Sequence, residues 1–133
     1  MKRTRHRRKA SSGAAILELA ILIPLLIMMA MGIIEFGRGM VVQSILTNAA
    51  REGGRRAAIS GASHNVALAA IDDYLANEGI TGHTPTIVPN ADTVPKGDPI
   101  TVTVSVPYTS VDYGRLTWLG DNTLSAQVVM RKE

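Results

Sequence analysis

Residues 14–34 form an apolar run in which Glu18 is the only ionisable residue and Pro24 the only proline. These 21 residues would make a helix roughly 31 Å long, at about 1.5 Å per residue. The hydrocarbon core of a bilayer is about 30 Å thick, so the run is long enough to span one. That leaves residues 35–133 to build one modest hydrophobic core.

Charge is distributed unevenly around this run. The formal net charge is +3, but Lys2, Arg3, Arg5, Arg7, Arg8 and Lys9 all precede Gly13. Without those six, eight basic residues face eleven acidic ones. The basic run has no interleaved aromatic and no recognition motif, so a nucleic-acid partner is not expected. Lys and Arg stay on the cytoplasmic side of an inserting helix. The leader is therefore expected in the cytoplasm and the C-terminal bulk outside it. The chain has no cysteine, which does not decide the compartment.

Downstream the pattern predicts an α+β fold. Residues 1–13 read as a basic leader, 14–34 as a transmembrane helix, 35–60 as its extracytoplasmic continuation, and 61–133 as a small head. Val41, Ile45 and Ala49 recur at four-residue spacing, predicting one helix face. Glu52 and Arg56 form an i, i+4 pair in the favourable order. Ala49, Gly53 and Ala57 make one small-residue row, and Ala50, Gly54 and Ala58 another. Such rows let another backbone approach closely. A second helix is predicted over residues 65–77, with Leu68, Ile71 and Leu75 on one face and Gly79 just past its end. Alternation in Thr101, Val102, Thr103, Val104, Ser105 and Val106 predicts a strand. Residues 84–89 and 123–131 are further strand candidates. The expected sheet is antiparallel, of about three strands, with the second helix and the tail of the long helix on one face. Tyr113 and Trp118 lie in a turn-rich stretch and read as core or turn packing.

The join between leader and span carries the functional information. A carboxylate deep in a bilayer would cost about 2.5–3.5 kcal/mol, so an intramembrane acid usually has a partner. Glu18 also reads as a first-turn acid stabilised by the helix dipole, by about 0.3–1 kcal/mol, or as an interfacial residue. Pro24 removes the helical partner of the Ala20 carbonyl and so permits a kink. Membrane helices also tolerate proline without further consequence.

A short basic leader ending in Gly13, followed by Ala14 and by Glu18 as the fifth residue of the remainder, resembles a class III prepilin-type leader. The sequence "GAAILELAILIPLL", with Glu35-Phe36-Gly37-Arg38 and Asn48-Ala49-Ala50-Arg51-Glu52-Gly53, resembles TadE-like proteins. These are pseudopilins, or minor pilins, of the tight-adherence system that builds Flp-type pili. The likeness covers roughly the first 60 residues. It implies cleavage between Gly13 and Ala14 by a prepilin peptidase. It also implies that the Glu18 carboxylate pairs with the new Ala14 amine of a neighbouring subunit. The functional reading of Pro24 is a flexible point that helps the helix leave the bilayer and pack in a filament. The implied partners are the peptidase, other pilin and pseudopilin subunits, an inner-membrane assembly platform and membrane lipid. The chain departs from major Flp pilins in two ways. It has Glu18-Leu19 where they typically carry Glu-Tyr, and it has a head domain where they have almost none.

No enzyme is expected. His6, His64 and His83 show no metal-ligand spacing, and no phosphate loop or nucleophile elbow is present. Asp72 and Asp73 read as a solvated helix face. Asp92, Asp98, Asp112 and Asp121 sit in turn-rich sequence without a calcium-loop pattern, so no cofactor is expected. Two non-enzymatic alternatives stand beside the pilin reading. One is an anchored binding module that never polymerises. The other is a secreted protein cut after Gly32, where Ala30 and Gly32 resemble a signal-peptidase site.

Overall fold

The structure, a computed structural model, describes residues 8–110 and 122–133, with side chains from Gly13 onward. Residues 1–7, and with them most of the basic leader and His6, lie outside the described residues. So do Asp112, Tyr113, Trp118 and Asp121. The element order is α1 (Arg8–Ala58), α2 (His64–Asn77), β1 (Thr84–Val88), β2 (Pro99–Pro107), a 3₁₀ turn (Tyr108–Ser110) and β3 (Thr123–Arg131). The fold is α+β, with a long apolar N-terminal helix, a second helix and a three-stranded antiparallel sheet. Two compact units divide after Gly39.

In the first unit α1 runs through Pro24 as continuous helix. Its large apolar side chains are exposed throughout, from Ile16 at 69% to Ile34 at 66%. Within the described residues, α1 supplies one helix long and apolar enough to cross a membrane.

The second unit, Met40–Glu133, joins the tail of α1 to residues 61–133, and the head is this whole unit. Here α1 changes character. Val42, Leu46, Ala49, Ala50, Ala57 and Ala58 are buried. The expected stripe of Val41, Ile45 and Ala49 is corrected, because Val41 is 59% exposed while Ala49 is fully buried. Four residues advance a helix about 40° beyond a full turn. The row therefore winds from solvent into the core. The helix also ends at Ala58 rather than residue 60, and Gly61 turns the chain with φ +76°.

Helix α2 starts one residue earlier than expected, at His64. Ser63 stands at its N-cap but makes no side-chain cap bond. Asp92 takes the role from across the head, its Oδ1 accepting the His64 N–H at 2.8 Å. The other end closes as a Schellman motif. The Ile80 N–H donates to the Leu75 carbonyl at 2.9 Å and the Gly79 N–H to Ala76 at 3.1 Å, with Gly79 at φ +72°.

The sheet order is β1-β2-β3, with both pairs antiparallel. Val102, Val104 and Val106 are fully buried; Thr101, Thr103 and Ser105 face the other way. The valines share a core with Leu46, Ile71 and Leu75, so both helices pack on this one face. Backbone polar groups alternate between the two sides of a strand in an antiparallel ladder. On β3 the even residues point at β2, as the Tyr108–Asn122 and Lys132–Asp98 bonds at its two ends show. The odd residues point to the free edge. On β1, Pro85 stands opposite Val104, an even residue of β2 whose backbone groups point at β3, so Pro85 falls on the free edge. It has no N–H to leave unpaired there.

Candidate functional site

Two sets of residues were expected to matter, and the structure separates them by environment. Gly13, Ala14, Glu18 and Pro24 all lie on the exposed first part of α1. A Cβ added at Gly13 would meet nothing within 4 Å. Every large apolar residue around Glu18 is exposed, including Leu17 at 66% and Leu19 at 58%. Roughly 25 cal/mol per Å² is at stake wherever such surface meets water. A helix of this kind needs an apolar medium or partner along its length.

The small-residue rows lie inside the head. Ala49, Gly53 and Ala57 face α2. A Cβ at Gly53 would overlap the Ile71 side chain and stand 3.4 Å from the Ala67 carbonyl oxygen. Ala50, Gly54 and Ala58 face β3, where a Cβ at Gly54 would lie 3.1 Å from the Met130 sulfur. The close approach that small residues permit is taken up here by two elements of the same chain.

A polar junction surrounds the C-terminal end of α1, and sequence reasoning missed it. Lys132 is only 8% exposed. Its Nζ donates to the carbonyls of Ala57 at 2.9 Å, Ile59 at 3.0 Å and Ala91 at 3.0 Å. The ammonium satisfies carbonyls that a helix end leaves open and complements the negative end of the dipole. Beside it the Glu133 N–H donates to the Ala58 carbonyl at 2.9 Å. One signal was available in advance. Strand alternation through Leu124, Ala126, Val128 and Met130 carries on to Lys132, which points it inward.

Glu52 pairs with Arg56 at 2.9 Å as expected, and also with Arg55 at 2.8 and 3.0 Å. Hydrogen bonds from Arg55 first, and Arg56 second, hold the Glu52 carboxyl below its ordinary range. The same bond raises Arg55. Arg51, Glu52, Arg55, Asp73 and Tyr74 line an open groove of about 790 Å³. Asp73 is exposed, as read from the sequence. Asp72 is exposed as well, and its Oδ1 lies 2.9 Å from His83 Nε2, a contact the sequence did not suggest. His64 Nδ1 accepts from the Ala91 N–H at 3.4 Å. No group of three His, Cys, Asp or Glu residues able to hold a metal ion occurs among the described residues.

The residues with the sharpest sequence signal coincide with a family match. Residues 13–55 match the family model described as TadE-like protein. The match opens at Gly13, takes in Glu18 and Pro24, and reaches through Gly53 and Gly54. The curated proteins and the solved structures hold no match to the chain.

Proposed function

Proceeding from a TadE-like segment at residues 13–55, we propose that this chain is a pilin-like structural subunit of a tight-adherence pilus or secretion pseudopilus. The observation that carries the reading is one helix with two environments, exposed and apolar around Glu18, buried and small from Ala49 onward. A prepilin peptidase cuts between Gly13 and Ala14 and removes the basic anchor. The new Ala14 amine of one subunit meets the Glu18 carboxylate of another. Paired in low dielectric the two charges attract strongly, and leaving one of them buried alone costs about 3–5 kcal/mol. Docking of helices is thereby coupled to charge satisfaction. Before assembly the span anchors the chain in the inner membrane with its N-terminus cytoplasmic and the head periplasmic, following the Lys/Arg asymmetry. Its partners are the peptidase, other pilin and pseudopilin subunits, the assembly platform and lipid. The role is structural rather than catalytic.

N-terminal sequencing of the protein purified from its native cells tests this reading. A mature start at Ala14 is expected. A start at Met1 points to a permanent anchor, and a start at Ile33 to secretion; either sinks the proposal.

A further inference from the structure

Helix α1 and strand β3 run side by side in the same direction through the head, fastened at both ends. At one end the Gln43 side-chain amide donates to the Ser125 carbonyl at 2.8 Å. In the middle Gly54 faces Met130. At the far end Glu133 donates to Ala58, and the Lys132 ammonium holds the Ala57 and Ile59 carbonyls. The spacings agree. Gln43 to Gly54 is about 16 Å of helix at 1.5 Å per residue, and Ser125 to Met130 is about 16 Å of strand at 3.3 Å per residue. The two elements therefore keep one register from Gln43 to Gly54, and beyond it the strand outruns the helix by about 4 Å before Glu133 meets Ala58.

We infer that the head is a shear clamp, which resists a pull along α1 by loading all of these fastenings at once. This rests on the proposed role as a subunit whose helix is drawn out of a membrane or held in a filament. A pull toward the N-terminus of α1 slides the helix along β3. Because the contacts cross between the elements and are arrayed along the load, they share it and must yield together. Sliding also drags Lys132 off its carbonyls inside the head, leaving a buried charge and buried acceptors unpaired. A pull that parts Ile59 from Glu133 meets the same contacts one after another, starting from the Lys132 end. The sheet adds to the resistance, since β3 is itself paired along all nine residues to β2.

The test is optical-tweezer unfolding of the full chain in detergent micelles. The chain has no native cysteine, so handles can be placed at will. Met40→Cys with Glu133→Cys gives the shear geometry, and Ile59→Cys with Glu133→Cys gives the peeling geometry. Forced unfolding reports the unfolding rate. The shear geometry should unfold at no less than twice the force of the peeling geometry. Under shear, Gln43→Ala and Lys132→Met should each shorten the lifetime at fixed load, Lys132→Met by at least tenfold. Equal forces in the two geometries, or a lower force in shear, would overturn the clamp. So would an unchanged shear lifetime in Gln43→Ala, the milder variant, which decides the point if Lys132→Met does not fold. These outcomes do not depend on leader cleavage. A mature start at Met1 beside a strong shear response would remove the pilin role and leave the clamp. A start at Ala14 beside equal forces would do the reverse.

Discussion

Within α1, residues 16–34 keep every large apolar side chain exposed, whereas residues 42–58 bury a face made largely of alanine and glycine. The first stretch has bulk and no intramolecular partner. The second has little bulk and two partners, α2 and β3. Bulky side chains suit a helix whose surroundings adapt to it, as lipid does. Small ones suit a helix gripped by fixed backbone at close range. The difference teaches that helix propensity does not decide what this helix is for. Side-chain size along one face does.

The largest expected effect lies in the exposed stretch. Glu18→Gln keeps the size and removes the charge. Association with pilin partners should weaken by about 3–5 kcal/mol, a factor of several hundred or more. Insertion and leader removal should persist. Co-purification from cells measures this, and normal co-purification would leave Glu18 as a first-turn acid. Next comes the end of the gripped stretch. Lys132→Met removes the donor to three carbonyls. A buried acceptor left unmade costs about 1–3 kcal/mol, so the head should lose roughly 3 kcal/mol or more in a denaturant titration.

The two small-residue rows should then separate. Gly53→Ala pushes against Ile71, which is branched and fully buried, so a loss of about 1–3 kcal/mol is expected from overpacking. Gly54→Ala meets the flexible thioether of Met130 and gains up to about 1 kcal/mol of helix propensity. It should be neutral or stabilising. Gly32→Ala, with nothing within 4 Å, should leave the head's melting midpoint unchanged. Equal losses at Gly53 and Gly54 would show that the rows do not face different partners.

The smallest effect concerns pH. The Glu52 carboxyl is held below its ordinary value of 4.5, chiefly by Arg55. Its contribution to stability is therefore present in full above that value. It is lost as pH falls through the lower folded value. Replacing it by Gln should flatten the acid limb of a stability-against-pH curve slightly, and leave the curve above pH 6 parallel to the wild type. An unchanged acid limb would show the pair to be idle.

The elements themselves were legible in advance, for local reasons. Residues 123–131 and 99–107 alternate with the strand period. Gly79 and Gly61 mark helix ends because both stand at positive φ. The fastenings were much less legible. Lys132 meets Ala57 across 75 positions of sequence, and Asp92 reaches His64 across 28. No local pattern encodes a partner at such a distance. His83 and Asp72 are closer in sequence, yet their pairing needs the turn after α2 to bring β1 back alongside it. Even the Val41 row misled, because a four-residue spacing drifts around a helix and burial depends on where the neighbours stand.

The sequence by itself determined the apolar span, the acid five residues past Gly13, the two helices and the three strands. Each of these depends on chemistry within one or two turns, or on a period that a short window contains. Only the tertiary structure decided that the glycine rows are filled by Ile71 and Met130. It alone showed that a lysine beside the last residue of β3 closes the end of α1, and that α1 and β3 stay in step from Gln43 to Gly54. Those outcomes depend on the distances between elements. Such distances are set by the packing of the whole core, and no single segment carries them.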